Sequence, residues 1–309
     1  MRISIYGRPV LAVAAVIWSS AAASAQYKFV KLKVPMSGAK DTAPAAISNQ
    51  NEIAGTFREP KDAFHPTFGF LRTNDTPAQW IYINDPDGNQ RFTQANGVNS
   101  SRTVVGDYEV SSSTIEGMFY NGGAYSTYSL SGCKRTYING INDNGDLTGD
   151  CQAGRSYEGW YQVSGSSTPT FFVVPGAINT YTTAINSEDT VVGWYDEDNN
   201  HGYMRTSAGE VTSIDYPGAV ATWVFGISDP TSTGDVLLSG NYEDSNGGFH
   251  GYIYDAGTFT AIDAPGATST GVTAINKNGW FVGAYQVGNK SYAYYAMPSA
   301  GPNTLVDEQ

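Results

Sequence analysis

TYTTAINSEDTVVGWYDEDNNHGYM, residues 180–204, is one copy of a pattern written six times along the 309-residue chain. It holds a threonine (Thr180), an aliphatic residue five positions on (Ile185), a polar residue (Asn186) and a turn. A strand with glycine and then an aromatic follows (Gly193, Tyr195), and a glycine–aromatic pair opens another (Gly202-Tyr203). The six threonines are Thr42, Thr93, Thr136, Thr180, Thr222 and Thr270, and the aliphatics Ile47, Val98, Ile141, Ile185, Ile227 and Ile275. The strand-two glycines are Gly55, Gly106, Gly149, Gly193, Gly240 and Gly283. A fourth strand, such as 211–215 or 259–263, runs into a Pro-Gly-Ala turn at Pro175, Pro217 and Pro265.

Four short strands per repeat, turn residues at short intervals and no helical period predict blades of a propeller. The expected fold is all-β: a six-bladed β-propeller of four-stranded antiparallel blades. Its repeats run approximately 35–84, 85–130, 131–174, 175–216, 217–264 and 265–296. The last repeat lacks a fourth strand, because only the loop-like tail MPSAGPNTLVDEQ remains after residue 296. The alternating YKFVKLKV at 27–34 has no repeat before it, so it is expected to complete the last blade and remove an open sheet edge.

Arg2 and Arg8 precede an apolar run from Val10 to Trp18 that ends in Ala23-Ser24-Ala25, the form of a signal peptide over residues 1–25. That run is too short for a membrane span, so residues 26–309 are expected as one exported domain, secreted or periplasmic in a bacterium. The formal charge of −12 becomes −14 once the two arginines go, 15 basic against 29 acidic residues. Such an excess argues against binding nucleic acid or an anionic membrane through a basic patch. Cys133 and Cys151, the two cysteines, are an even number in an exported chain and predict a disulfide.

The best copies, VVGWYDEDNNHGYM (191–204) and SGNYEDSNGGFHGYIYDAGTFTAIDAPGA (239–267), resemble the bacterial extracellular HAF-type repeat family, in which a His-Gly-aromatic triplet follows a strand of this kind. The likeness covers the whole mature chain and is closest in copies four and five. Copies two, three and six carry Glu116, Glu158 and Tyr292 in place of the histidine. The resemblance implies an exported propeller-like array and brings no defined activity with it.

The loops from strand two to three, and from strand four to the next blade, share one face of a propeller. Asp196, Glu243, His201 and His250 are expected there, with aromatics Tyr137, Trp160, Tyr181, Trp194 and Trp223. Arg135 and Arg155 are singletons that break the repeat symmetry. Carboxylates bond hydroxyls and rings cover apolar sugar faces, which suits a glycan. The candidate ligand-binding set is therefore Asp196, His201, Trp223, Glu243, His250, Trp194, Arg135 and Arg155. Because the histidines recur at one repeat position, bonding within the blade competes with a ligand role, and the threonine and Asn/Ser columns read as structural.

Three functions compete. The first is an exported propeller that binds an extracellular glycan or surface protein on its loop-rich face; the second is a carbohydrate-active enzyme, lyase or hydrolase, using rim carboxylates or histidine; the third is a structural protein–protein platform. No cofactor is expected, calcium being the one ion that Asp85–Asn89 and Asp196–Asn200 would suit. Only His65, His201 and His250 exist, in copies one, four and five, which argues against a three-histidine zinc. Gly-x-Ser-x-Gly, His-Glu-x-x-His, Walker and dinucleotide motifs are missing.

Overall fold

An odd spacing between two buried columns decides how each repeat folds. Thr136 pairs with Cys151 and Ile141 with Leu147, so five steps on one strand face four on its partner, and the register shifts between Ile138 and Gly140. Strand side chains alternate faces, so an odd spacing would send one column to the wrong side; one bulged residue restores the parity. The same shift recurs in all six copies, at Pro44/Ala46, Ala95/Gly97, Thr182/Ala184, Val224/Gly226 and Val272/Ala274 besides the one above.

The computed structural model describes residues 26–59, 67–86 and 92–308. The leader at 1–25, His65 and Asp87–Asn89 therefore lie outside the described residues. Strand β1 is Tyr27–Leu32. The first copy supplies β2 (Lys40–Ile47), β3 (Ile53–Arg58), β4 (Thr67–Arg72) and β5 (Trp80–Ile83). The second supplies β6 (Thr93–Val98), β7 (Val104–Ser111), β8 (Thr114–Asn121) and β9 (Ala124–Tyr128). The third holds β10 (Arg135–Ile141), β11 (Leu147–Gln152), β12 (Tyr157–Gln162) and β13 (Thr170–Phe172). The fourth holds β14 (Asn179–Ile185), β15 (Val191–Asp196), β16 (Asn200–Arg205) and β17 (Val211–Ile214). The fifth holds β18 (Ala221–Ile227), β19 (Leu237–Glu243), β20 (Phe249–Asp255) and β21 (Thr258–Ile262). The sixth has β22 (Ser269–Ile275), β23 (Phe281–Val287) and β24 (Lys290–Pro298), and β25 (Thr304–Asp307) ends the chain.

The sheets are consecutive meanders, the arrangement of a β-propeller. Copies two and three share a sheet only through the pair Arg135 and Ile115. In the sheet of the sixth copy, β1 lies antiparallel to β24, from Tyr27 opposite Pro298 to Leu32 opposite Ala293. The tail expected as loop instead forms β25, parallel to β1. Four short pairings give it little sequence signature, and side chains hold it: Lys31 bonds Asp307 at 2.8 Å and Arg72 of β4 bonds Glu308 at 2.5 Å.

The core lies between neighbouring sheets. Ala54, Leu71 and Ile83 pack on Ala95, Val104 and Met118, and Val192 and Ile214 on Val224 and Leu238. The same layer joins last copy to first, where Leu32, Val282 and Ala293 meet Ile47, Ile53 and Phe70. Each of the larger side chains, Val, Leu, Ile, Phe or Met, contributes about 1.5–3 kcal/mol.

The polar columns tie the blades. Asn99 Nδ2 donates to Asn142 O, Asn142 to Asn186 O, Asn186 to Ser228 O and Asn276 to Ser48 O, each one copy onward. In copies three to six the threonine hydroxyl accepts from the backbone N–H six residues earlier, as Val174 N to Thr180 and Tyr216 N to Thr222. Cys133 and Cys151 form the expected disulfide, with Cα atoms 5.4 Å apart.

Candidate functional site

Six bulges place six residues on the inner wall where the inner strands meet: Ala45, Asn96, Asn139, Thr183, Phe225 and Thr273. All six line cavities along that wall. Asn96 matches Asn139 and Thr183 matches Thr273, while Ala45 and Phe225 differ, so the wall varies from copy to copy where the flanking threonine, aliphatic and glycine columns do not. The wider cavity is about 410 Å³ and opens at the end of the inner strands nearest the strand-two-to-three loops. Tyr181, Trp194, Asp150 and Gln94 complete its wall. At the opposite end Asn49 Nδ2 donates to Asp143 at 3.0 Å and to Asp229 at 2.7 Å, tying three copies across the axis.

The strand-two glycine sets the geometry of this mouth. A Cβ on Gly193 would sit 1.9 Å from the Tyr181 carbonyl oxygen, and one on Gly240 2.0 Å from that of Trp223. The missing Cβ lets the carbonyl lie over the strand, where Tyr203 Oη donates to Tyr181 O and Tyr252 Oη to Trp223 O, both at 3.2 Å. The side chains of Tyr181 and Trp223 are thereby fixed from behind.

Four aromatic rings run along this edge of copies three and four. Tyr137 and Tyr157 have centroids 6.3 Å apart, Tyr157 and Tyr181 5.1 Å, and Tyr181 stacks on Trp194 at 4.1 Å and 20°. Trp223 stacks on Phe249 at 6.0 Å in copy five. Burial pushes the hydroxyls of Tyr137 and Tyr181 up to about 12, so both remain hydroxyl donors at neutral pH. Arg135 bonds Tyr137 and Tyr157, which raises the guanidinium further.

Behind the rings stand two carboxyls of equivalent position. Asp150 accepts from Thr182 N at 2.7 Å and Asn139 Nδ2 at 2.9 Å. Asp107 accepts from Asn96 Nδ2 at 2.6 Å, and its second oxygen has no partner among the described residues. Burial pushes both up to about 7, Asp107 further by the neighbouring Asp150 and Asp150 against the bonds it accepts. Each can therefore carry a proton near neutrality.

The sequence candidates divide. Trp194 lines the cavity and Arg135 joins the ring row. Asp196 is committed to Asn179, at 2.5 Å to its N–H and 2.7 Å to its amide. His201 Nδ1 lies 3.0 Å from Asp215 and Nε2 3.2 Å from Asp198, with the ring stacked on Tyr195. His250 repeats this against Asp263 at 3.1 Å and Asp244 at 3.5 Å, on Tyr242. Both histidines thus serve as clasps within their own blades. Glu243 stands half-buried across from Phe249, and Arg155 is exposed in a loop. Trp160, expected at the rim, is wholly buried against Tyr128, because its place on β12 faces the core.

The sequence reading missed Asp107, Asp150, Asn96, Asn139, Tyr157 and Phe225. The signal was available in the odd Thr-to-Ile spacing, which demands a bulge and so an inward residue. Among the described residues, no group of three or more His, Cys, Asp or Glu is arranged to hold a metal. Of the loop at Asp196–Asn200, the Asp196 and Asp198 carboxylates are already bonded to Asn179 and His201.

No family model and no curated protein sequence matches the chain. Solved structures do. TolB from Acinetobacter baumannii superposes with a TM-score of 0.57 at 13% identity over 82% of this chain and 64% of that one. AofleA from Arthrobotrys oligospora gives 0.52 at 10%, over 90% and 84%, and the Hadza microbial sialidase Hz136 gives 0.51 at 11%, over 84% and 66%. The chain thus spans less than two thirds of TolB's length. At these identities the likeness concerns fold alone: the protein is an all-β chain with a β-propeller arrangement. No helix among the described residues is long and apolar enough to cross a membrane.

Proposed function

We propose that this protein is an exported six-bladed propeller, closed into a ring by β1 and built from HAF-type repeats, that binds a neutral glycan at the mouth of its axial cavity. The observation that carries the reading is the row Tyr137, Tyr157, Tyr181 and Trp194 beside Asp150, Asn96 and Asn139. Flat rings cover the apolar faces of a pyranose, while the side-chain oxygens of Asn96 and Asn139, whose amide N–H groups are already given to Asp107 and Asp150, offer acceptors to its hydroxyls and the Tyr181 hydroxyl offers a donor. A cavity of about 410 Å³ suits a small part of a saccharide chain. Six bulged inner strands, the bonds from Asn276 to Ser48 and the β1–β24 pairing support the closed ring. The disulfide supports export to an oxidising compartment.

Hydrolysis or elimination is the second reading, favoured by Asp150, a cavity carboxyl pushed up to about 7 and so able to deliver a proton near neutrality. A glycan array run beside a turnover screen on the same saccharides separates the two. Retention without product supports binding, product release supports catalysis, and no retained neutral saccharide refutes both.

A further inference from the structure

A wider cavity than the axial one lies elsewhere. A groove of about 1310 Å³ runs between the sheet of the sixth copy and that of the first. In a chain of formal charge −12, Lys33, Lys40 and Lys290 all line it and all are exposed. The four carboxylates of the same wall are already matched: Asp41 with Arg58 at 3.5 Å, Asp75 with Arg102 at 2.9 Å, Asp307 with Lys31 at 2.8 Å and Glu308 with Arg72 at 2.5 Å. No ion pair to any of the three lysines occurs among the described residues.

The repeat shows that this charge is a local reversal. Gly202 pairs with Ile214 and Gly251 with Ile262, and the next residues, Asp215 and Asp263, meet the clasping histidines. In the sixth copy the matching pair is Ala293 with Leu32, and the next residue is Lys33. The histidine position there is Tyr292, stacked on Tyr285 at 5.3 Å and 38% exposed. The loop between strands two and three, acidic in copies four and five as DEDNN and EDSNGG, is VGNK in copy six. The scaffold keeps its stacked pair and exchanges carboxylates for ammonium groups.

We propose that this groove is a second binding site, for an acidic polysaccharide of the uronate type. A uronic acid joins a flat apolar sugar face to a carboxylate on the same ring; Tyr292 offers a partner for the first, and Lys33, Lys40 and Lys290 for the second. A volume of about 1310 Å³ exceeds what one sugar ring fills, and each added carboxylate strengthens attraction that salt screens over about 10 Å at 0.1 M.

Calorimetric titration with a polygalacturonate fragment tests this, with neutral dextran and polyglutamate as comparators. The wild-type protein binds polygalacturonate, more weakly as sodium chloride rises, and binds neither comparator in the groove. Lys33→Glu/Lys40→Glu/Lys290→Glu weakens it at least about tenfold with the melting temperature unchanged, whereas Trp194→Ala leaves it unaltered, which keeps this site distinct from the axial one. Where the triple variant does not fold, Lys33→Gln and Lys290→Gln each weaken binding severalfold. Absent binding at low salt, unchanged affinity in the lysine variants, or polyglutamate binding as tightly as polygalacturonate overturns the proposal.

Discussion

Gly193 shows at the scale of one residue how fold and site are coupled. Its missing Cβ admits the Tyr181 carbonyl, whose next partner is the Tyr203 hydroxyl. Gly193→Ala places a methyl 1.9 Å from that oxygen, so β14 must move; chemical denaturation should show a loss on the order of 2–4 kcal/mol, at the upper end for a single substitution. A variant as stable as the parent would mean that the strands yield freely. The carboxyls Asp107 and Asp150 give a second residue-scale test. Both sit at about 7 in the fold against about 3.9 in the unfolded chain. The folded state therefore holds their protons more tightly. Their contribution is fully present below about pH 4 and is lost as pH rises from about 4 to about 7. Asp107→Asn should flatten the fall in melting temperature over that range; an identical pH profile in the variant would show that Asp107 ionises without cost. These residues were poorly legible in the sequence because they recur in only two of the six copies: Thr136, Ile141 and Gly149 stand in columns kept throughout, whereas Asn139 and Asp150 are matched only by Asn96 and Asp107 in copy two.

At the scale of elements, the His-Gly-aromatic triplet proves to be a clasp. Burial pulls the His201 imidazole down, but the bonds to Asp198 and Asp215 outweigh it and the net shift is upward. Its stabilisation is therefore present at acid pH and lost as pH rises through the raised value. His201→Ala should lower the melting temperature more at pH 5 than at pH 8 while leaving saccharide affinity intact. A variant that melts normally and fails to bind would return His201 to the site. The disulfide acts on the step from copy two to copy three, its ends 18 positions apart in sequence. Reduction, or Cys133→Ser/Cys151→Ser, should cost about 3 kcal/mol in the chain-entropy account, read from urea unfolding with and without reductant. The bridge was legible because two cysteines leave one pairing. Strand β25 was not, because four residues held by ion pairs carry no alternating pattern.

On the scale of the whole molecule, the repeat made the fold class readable, since six copies of one strand pattern leave few other ways to bury their faces. The proposed closure turns on β1, which contributes Phe29, Val30 and Leu32 to the core at 0%, 4% and 3% exposure. Removal of residues 26–34 should unfold the last copy or lower the melting temperature by many degrees, because it strips β24 of its partner and opens the apolar layer to the first copy. The proposed axial binding rests on Trp194 and Tyr181, whose stacked rings are held by glycine and hydroxyl contacts. Calorimetric titration of the best-retained neutral saccharide against wild type and Trp194→Ala is the most direct test. A loss of about 1–3 kcal/mol, roughly 5- to 150-fold in affinity, with unchanged melting is the expected result; equal affinity in the two proteins would contradict binding at the axial mouth.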